Sequence, residues 1–198
     1  MRKVVHWIDD EVSKLDILIK QIQKQNIFVR TYRSGEEFFE KYHPSPVEII
    51  FIDYYLGIGS TGLELLYRIR KEKIESRVVV ISGMLDVKST RDLIFAGASD
   101  IIEKQSPITL LKDIFTQISQ VEASYKSSRV RDIYNAMSEK QQKVCDGMIK
   151  RLSTTEIVNL TGLGYSNVRK YKGQIFKLFR EKGYMISGAN DISKLFMK

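Results

Sequence analysis

The sequence predicts an α/β domain built on a doubly wound, five-stranded parallel sheet, followed by a small all-α domain. Over residues 1–121, short β-branched apolar runs alternate with amphipathic helical segments, and only helical segments follow. The charge divides at the same place. Residues 1–121 carry 17 basic and 17 acidic side chains, whereas residues 122–198 carry 15 and 7 and account for the whole net charge of +8. This asymmetry indicates two modules, of which the second either faces a polyanion or has a solvated basic helical surface.

Five short runs are the candidate strands. Several are continuously apolar rather than alternating, as expected for strands of a parallel sheet that helices cover on both faces. They are Val4–Ile8, Ile27–Thr31, Ile49–Ile52, Val78–Ile81 and Ile101–Ile102. The helices predicted between and after them cover Leu15–Ile22, Phe38–Tyr42, Leu63–Arg70, Val87–Phe95 and Ile108–Val121.

The remainder of the chain is predicted to be a linker and a helical domain. Residues 122–135 are assigned to the linker because Glu122–Arg131 is polar and rich in serine, a composition typical of a linker or of a fraying helix end. Residues 136–198 form the second domain. Ser138 and Gln141 have the spacing of a capping box, and Ser153 and Ser166 are further N-cap candidates. The predicted helices are Ser138–Lys150, Ser153–Leu160, Ser166–Glu181 and Asp191–Met197.

Several classes of protein are excluded by the sequence. No apolar run approaches the roughly 20 residues that span a bilayer, and the N-terminus lacks the apolar segment of a signal peptide. Cys145 is the single cysteine, so no internal disulfide can form. We therefore expect a cytoplasmic protein with no membrane partner.

Polar residues follow four of the predicted strands. Asp9 and Asp10 follow the first, Asp53 ends the third, Ser82 ends the fourth and Lys104 follows the fifth. In a flavodoxin-like sheet of order 2-1-3-4-5, the first and third strands flank the point where strand order reverses, so the three carboxylates converge there. Carboxylates held together repel one another unless a cation neutralises them, and oxygen ligands of this kind suit Mg²⁺. A single aspartate after a strand is usually a helix cap or turn residue. Five polar or charged residues at the ends of four strands of one sheet instead indicate a site.

Residues 1–121 resemble the receiver domain of two-component response regulators. The resemblance is carried by Asp9-Asp10-Glu11, Phe51-Ile52-Asp53, Ser82-Gly83, Gly97-Ala98 and Lys104. It implies that Asp53 accepts a phosphoryl group from a sensor histidine kinase, and that Ser82 and Lys104 hold the phosphoryl oxygens. It also implies that Asp10, Asp53 and the main-chain carbonyl of Tyr55 bind Mg²⁺, with Asp9 acting through water. Such a protein is a regulator and not an enzyme, with at most self-catalysed phosphotransfer and autodephosphorylation.

Three positions depart from the receiver pattern. Ile101 stands at the switch position, where the family usually has a Tyr or Phe that moves inward on activation. Gln105 replaces the usual proline after the lysine, and Pro107 comes later. Tyr55 is bulky for a position near the path of water to the phosphate, so it either slows hydrolysis or shields the site. The acceptor chemistry is therefore better supported than the usual switching route.

The basic module has the pattern of a helix-turn-helix. Gly162-Leu163-Gly164 supplies the residues of a tight corner between two predicted helices. In the second of these helices, Val168, Tyr171, Ile175 and Phe179 form an apolar stripe. Cations near the start of such a helix can reach base edges in the major groove, and later ones can pair with phosphates. The cations outside the stripe are Arg169, Lys170, Lys172 and Lys177.

This module resembles the LuxR/NarL-type four-helix DNA-binding domain. The matching stretches are Leu152–Ile157 and Gly164–Tyr171, whereas Tyr171 replaces a frequent histidine and Gly173 a frequent DNA-contacting lysine. The resemblance implies binding to double-stranded promoter DNA, with base contacts from Arg169 and Lys170. It also implies a homodimer in the active state, formed through a last helix around Ile192–Met197.

The predicted function is that of a transcription factor regulated by phosphorylation. Two alternatives stay open at this point. One is a DNA-binding regulator whose receiver is degenerate and independent of phosphorylation, which Ile101 leaves possible. The other is an RNA-binding antiterminator, since a basic helical domain can also bind RNA.

Overall fold

The first part of the chain forms one parallel sheet of strand order 2-1-3-4-5, in a computed structural model that describes residues 2–57 and 61–197. The strands extend one or two residues beyond the predicted runs. They are β1 (Lys3–Ile8), β2 (Ile27–Tyr32), β3 (Glu48–Asp53), β4 (Arg77–Ser82) and β5 (Asp100–Glu103). The predicted fold class, including the order of the strands, is confirmed.

Helices cover both faces of this sheet, which explains the continuously apolar strands. Val79 and Ile81 of β4 pack on one face and Val78 and Val80 on the other, and all four are buried. A short 3-10 helix (Val12–Leu15) precedes the first α-helix. The α-helices are α1 (Asp16–Gln23), α2 (Gly35–Lys41), α3 (Gly62–Lys71), α4 (Val87–Phe95) and α5 (Pro107–Asn135). Residues of α1 and α5 pack on one face, and residues of α2, α3 and α4 on the other.

The predicted linker is helical. Residues 122–135 continue α5 to Asn135 without a break, although the chain divides into two units between Ala123 and Ser124. Val130 and Ile133 are buried in the core of the second unit together with Met137. Val130 and Ile133 have helical spacing, so their burial stabilises the helix where serine and charged residues occupy its exposed positions.

Four more helices complete the second unit, namely α6 (Glu139–Ile149), α7 (Thr154–Thr161), α8 (Tyr165–Glu181) and α9 (Ala189–Phe196). Ser138 and Ser153 form the capping boxes that begin α6 and α7. The N-cap of α8 is Gly164 instead of the predicted Ser166, which lies inside the first turn. In the described part of the chain, no helix is long and apolar enough to cross a membrane.

The inner face of α9 closes the core of its own unit. Ile192 and Ser193 are fully buried, and the Ser193 hydroxyl donates a hydrogen bond to the Ile149 carbonyl at 3.0 Å. The inner face of this helix is therefore taken up by packing within its own unit, and dimerisation around Ile192–Met197 stays a prediction for the side chains outside that core.

A histidine and a glutamate are buried together on the face of the sheet that α2, α3 and α4 cover. His6 of β1 is inaccessible to solvent, and its Nδ1 lies 2.9 Å from the Tyr32 hydroxyl. Its Nε2 lies 3.3 Å from Oε2 of Glu48, at the start of β3. The apolar pattern of β1 gave no signal for this pair, because a lone histidine inside a strand is usually part of the core.

Hydrogen bonds keep Glu48 ionised in this buried place. Its carboxylate accepts from the Tyr42 hydroxyl at 2.5 Å, from the Ser45 backbone N–H at 2.6 Å and from the Ser76 hydroxyl. Burial alone would raise the pKa of Glu48, but the neighbouring His6 ring and the hydrogen bonds from Ser76, Tyr42 and Ser45 outweigh it and lower the pKa.

Replacing Glu48 by Gln is expected to change the acid stability of the protein. Because the pKa of Glu48 is lowered on folding, its ionised form stabilises the protein above the unfolded value of 4.5, and this stabilisation is lost as the pH falls. Glu48→Gln should lower the free energy of unfolding near neutral pH by about 1–3 kcal/mol. It should also make the free energy of unfolding decrease less steeply as the pH falls. Urea unfolding between about pH 3 and 7 measures both effects, with exposed Glu40→Gln as the control. Parallel curves for the two variants would contradict this role of Glu48.

Candidate acidic site and candidate nucleic-acid interface

Three carboxylates meet at the carboxyl ends of β1 and β3. Asp9 and Asp10 follow β1, and Asp53 is the last residue of the adjacent β3. One oxygen from each carboxylate lies within 4.8 Å of the other two. Asp9 and Asp53 are only 2% and 6% exposed, whereas Asp10 faces solvent. The sheet therefore brings together the three acids that the sequence placed at its switch point.

Lys104 supplies the positive charge of the site. Its Nζ donates to Oδ2 of Asp53 at 2.5 Å and lies 3.7 Å from Oδ2 of Asp9. The backbone fixes this position, because the Lys104 N–H donates to the Ser82 carbonyl at 2.6 Å just beyond β5. Burial raises the pKa of Asp53 and Asp9 raises it further, against the opposing effect of Lys104. Keeping Asp53 ionised in the folded protein therefore costs free energy. A bound cation or a covalent modification of the carboxylate would reduce this cost.

Ser82 lies beside the acids but is bonded elsewhere. It ends β4, is 2% exposed, and follows Ile81, the register partner of Asp53. Its hydroxyl donates to the Met84 carbonyl at 3.2 Å. Within residues 2–57 and 61–197 the Ser82 hydroxyl has no hydrogen bond to the three carboxylates, so a ligand would have to draw it toward them.

Tyr55 lies two residues beyond Asp53, and its main chain contacts the acidic site. Its backbone N–H donates to Oδ1 of Asp53 at 3.4 Å, and its side chain is 62% exposed. The ring packs edge-on against Tyr54, with 4.9 Å between the ring centres. The main chain at Tyr55 is therefore close to Asp53, while the side chain stands toward solvent.

Gly57 is a residue of the site that sequence reasoning missed. Its φ is +81°, and a Cβ at this position would lie 3.4 Å from Oδ2 of Asp10. A glycine allows the loop after Asp53 to adopt this conformation close to the carboxylate. The glycine in Leu56-Gly57 was the available signal, but a turn glycine alone does not indicate an adjacent acid.

The donor set of this site fits a magnesium ion. Carboxylate oxygens are the ligands that Mg²⁺ prefers, and one or two of them are enough because the ion keeps several waters. The exposure of Asp10 leaves room for those waters, whereas Asp9 and Asp53 are held rigidly by their burial. A divalent cation would also offset the repulsion among the three acids, which Lys104 opposes.

In the second unit, α8 separates an apolar face from a basic one. Val168, Ile175 and Phe179 are fully buried and Tyr171 is half-buried, as the apolar stripe predicts. Gly162, with φ of +69°, ends α7 and allows the chain to turn into α8. Three of the predicted cations are exposed: Arg169, Lys170 and Lys177.

Lys172 differs from the other three cations. It is half-buried, and its Nζ donates to Oγ1 of Thr154 at 3.1 Å, which joins α8 to the first turn of α7. Burial lowers the pKa of Lys172. The structure therefore does not place Lys172 on the free basic surface, and a phosphate contact from it would require this bond to break.

Comparison with known proteins gives a family match within the first unit and relatives that span both units. A family model described as the response regulator receiver domain matches residues 5–116. The chain is 20% identical to the transcriptional regulatory protein TdiR of Thauera aromatica over 176 residues, which span 86% of this chain and 77% of TdiR. It is 22% identical to the transcriptional regulatory protein FixJ of Rhizobium meliloti (strain 1021) over 183 residues, which span 90% and 89% of the two chains.

Solved structures of response regulators share the fold. The response regulator StyR matches with a TM-score of 0.55 and 19% identity over 98% of each chain. Full-length FixJ from B. japonicum matches with a TM-score of 0.51 and 17% identity, covering 98% of this chain and 95% of that one. At these identities the likeness shows the fold alone, a receiver-like sheet followed by a helical part.

Proposed function

This chain belongs to the response regulator family through its receiver domain, and we propose that it is a transcription factor whose DNA binding is controlled by phosphorylation of Asp53. The relatives that match it over most of its length are named as transcriptional regulatory proteins, which supports a role in transcription. The observation that carries the proposal is the contact of buried Asp53 with Lys104, inside a cluster of three carboxylates.

Asp53 is the proposed acceptor of a phosphoryl group from a sensor histidine kinase. Its carboxylate oxygen would attack phosphorus in line with the phosphohistidine nitrogen, and the P–N bond would break as the P–O bond forms. Lys104 is placed to move its ammonium from the Asp53 carboxylate to the phosphoryl oxygens. The Ser82 hydroxyl would donate to a second phosphoryl oxygen. Repeated turnover belongs to the kinase, and this chain contributes at most self-catalysed transfer and autodephosphorylation.

Magnesium is the proposed cofactor of this site. Asp10, Asp53 and the main-chain carbonyl of Tyr55 would hold it, with Asp9 acting through water. When bound, the ion supplies positive charge that offsets the carboxylates and the phosphoryl oxygens. The exposed Tyr55 side chain at the mouth of the site would limit the approach of water to the modified Asp53.

Replacing Asp10 by Asn is expected to weaken magnesium binding and phosphorylation together. Asp10 is exposed, so the variant should fold normally, but it loses one ligand charge. At about 100 times the dissociation constant, Mg²⁺ should stabilise the wild type by about 2.7 kcal/mol and the variant by clearly less. Thermal unfolding across a Mg²⁺ titration, together with the rate of phosphorylation by a small phosphodonor, measures both effects.

The control for Asp10→Asn is Glu11→Gln. Glu11 is the next residue along the chain, is exposed, and pairs with Lys14 at 2.5 Å instead of joining the cluster. The Glu11→Gln protein should keep the wild-type response to Mg²⁺. An Asp10→Asn protein with the same Mg²⁺ dependence as Glu11→Gln would remove Asp10 from the metal site.

Double-stranded promoter DNA is the proposed partner of the second unit. The pair α7 and α8, with the turn at Gly162, resembles the LuxR/NarL-type helix-turn-helix. Arg169 and Lys170 lie exposed near the start of α8, where side chains reach base edges, and Lys177 lies further along, where phosphates are expected. Lys172 would act by holding α8 against α7 through Thr154.

Homodimerisation on phosphorylation is part of the same proposal. The inner face of α9 packs in the core of its own unit, so we assign the dimer contact to a different surface. Ile94 and Phe95 of α4 are 59% and 80% exposed, and a second copy would cover them favourably. The proposed dimer contact therefore lies on the receiver unit.

Competition binding separates DNA regulation from the two alternatives. A labelled duplex enriched from genomic fragments is challenged with unlabelled DNA duplex and with RNA of the same sequence, before and after treatment with phosphodonor and Mg²⁺. The proposal predicts displacement by DNA and a change in affinity on treatment. Preferential displacement by RNA would favour the antiterminator, and an affinity that ignores phosphorylation would favour the degenerate receiver.

A further inference from the structure

The loop between β4 and α4 carries an exposed methionine beside a cavity. Met84 is 80% exposed, yet it contributes to the lining of a cavity of about 320 Å³. This volume corresponds roughly to the share of ten water molecules at about 30 Å³ each, which is ample for a side chain. The other lining residues are Ser82, Leu85, Thr90, Ile101, Ile102 and Glu103.

Ile101 forms a wall of this cavity and does not fill it. It lies on β5, packs against the buried cluster beneath α2, α3 and α4, and is β-branched. A β-branched side chain on a strand has little rotational freedom at χ1, so Ile101 is poorly suited to enter the cavity from its place on the sheet. Met84 has an unbranched, adaptable side chain on a loop, and its thioether suits an irregular apolar space.

A hydrogen bond ties Met84 to the acidic site. The Ser82 hydroxyl donates to the Met84 carbonyl at 3.2 Å. A serine hydroxyl has only one proton to donate, so it cannot serve Met84 and a phosphoryl oxygen on Asp53 at the same time. Any use of Ser82 by the phosphoryl group must therefore release the Met84 carbonyl.

We propose that Met84 is the residue that transmits phosphorylation of Asp53 to α4: as the Ser82 hydroxyl turns to the phosphoryl group, the released Met84 swings its side chain into the cavity in front of Ile101. This inference rests on the proposed phosphorylation of Asp53. The movement removes an exposed apolar side chain from water, which favours it once the hydrogen bond is gone. Met84 is two residues from Asp86, the N-cap that accepts from the Ser89 N–H at 2.7 Å, so the start of α4 moves with it.

Methionine oxidation tests the movement in the full-length protein. Met185 is 96% exposed and lies in the second unit, so it provides an internal reference for Met84. The protein is treated with dilute hydrogen peroxide, with and without a small phosphodonor and Mg²⁺, and sulfoxide at each methionine is followed by peptide mass spectrometry. Intact mass measures phosphorylation in parallel. We expect Met84 to oxidise at about the rate of Met185 at first and about tenfold more slowly once phosphorylated, with Met185 unchanged.

Variants at Met84 test its effect on α4. Hydrogen exchange of residues 87–95 is compared before and after phosphorylation. Met84→Leu keeps an apolar side chain that fills the cavity and should retain the wild-type change in exchange. Met84→Ala should be phosphorylated normally but lose most of that change. Val87→Ala is the control. Val87 is also strongly exposed, at 87%, and lies three residues after Met84, but it does not line the cavity.

The outcomes distinguish this inference from the function on which it rests. A wild type that gains no phosphoryl mass would overturn the proposed function and the role of Met84 with it. A phosphorylated wild type in which Met84 oxidises as fast as before would overturn the role of Met84 alone. So would a Met84→Ala protein whose α4 responds to phosphorylation as strongly as that of the wild type.

Discussion

An Asp53→Asn protein is expected to gain no phosphoryl mass from a small phosphodonor and Mg²⁺, whereas the wild type gains one phosphoryl group. The asparagine side chain keeps the shape of aspartate but lacks the carboxylate oxygen that attacks phosphorus. Intact mass measured over time detects the difference directly. The matched control is Asp16→Asn, an exposed acid at the start of α1 that lies outside the cluster, and it should behave as the wild type.

Loss of folding would not explain this result. The pKa of Asp53 is raised on folding, mainly by burial, so the ionised side chain costs stability at neutral pH, and this cost is lost as the pH falls through the raised pKa. Neutral asparagine removes this cost, although it also removes the partner of Lys104. We therefore expect Asp53→Asn to unfold at a temperature at least as high as the wild type. A Mg²⁺-dependent phosphoryl mass on this variant would show that Asp53 is not the acceptor.

Replacing Arg169 by Ala is expected to weaken binding to a cognate duplex by about 1–3 kcal/mol, or roughly 5- to 150-fold. Arg169 is exposed near the start of α8, where a guanidinium can make two hydrogen bonds to a guanine. Its loss should relax sequence preference, so binding to a scrambled duplex should change little. Titration of both duplexes with the variant and the wild type measures this discrimination. Equal loss on both would show that Arg169 contacts phosphate only.

Lys177→Ala provides the contrast for Arg169→Ala. Lys177 lies later on α8 and is 3.8 Å from Glu181, a weak exposed pair that leaves its charge available to DNA. Its replacement should weaken binding to the cognate and the scrambled duplex equally. It should also reduce the slope of log affinity against log salt by about one unit. If neither variant affects binding, α8 is not the DNA-reading helix.

The sheet and the acidic site could be predicted because their signals are local or follow from strand order. Apolar runs such as Val78–Ile81 are strands buried on both faces. Asp9 and Asp53 are far apart in the sequence, but parallel strands place their ends together once the order 2-1-3-4-5 is inferred. Lys104 meets Asp53 for the same reason.

The features that escaped prediction depend on contacts between distant segments. The helix through residues 122–135 is stabilised by burial of Val130 and Ile133 in the second core, which outweighs the polar composition of the segment. The bond between Lys172 and Thr154 requires the packing of α7 on α8. Sequence periodicity places Lys172 outside the apolar stripe, but it cannot show which hydroxyl lies within reach of a flexible ammonium group.

The most direct test of whether Asp53 controls DNA binding is the affinity of the 198-residue chain for its cognate duplex. This affinity is measured at fixed salt before and after phosphorylation, for the wild type and for Asp53→Asn. The account predicts a gain in wild-type affinity within the range of about 5- to 150-fold that is typical of coupled sites. Asp53→Asn should show no gain under the same phosphodonor and Mg²⁺. Equal wild-type affinity before and after a confirmed phosphoryl mass, or an equal gain in Asp53→Asn, would contradict it.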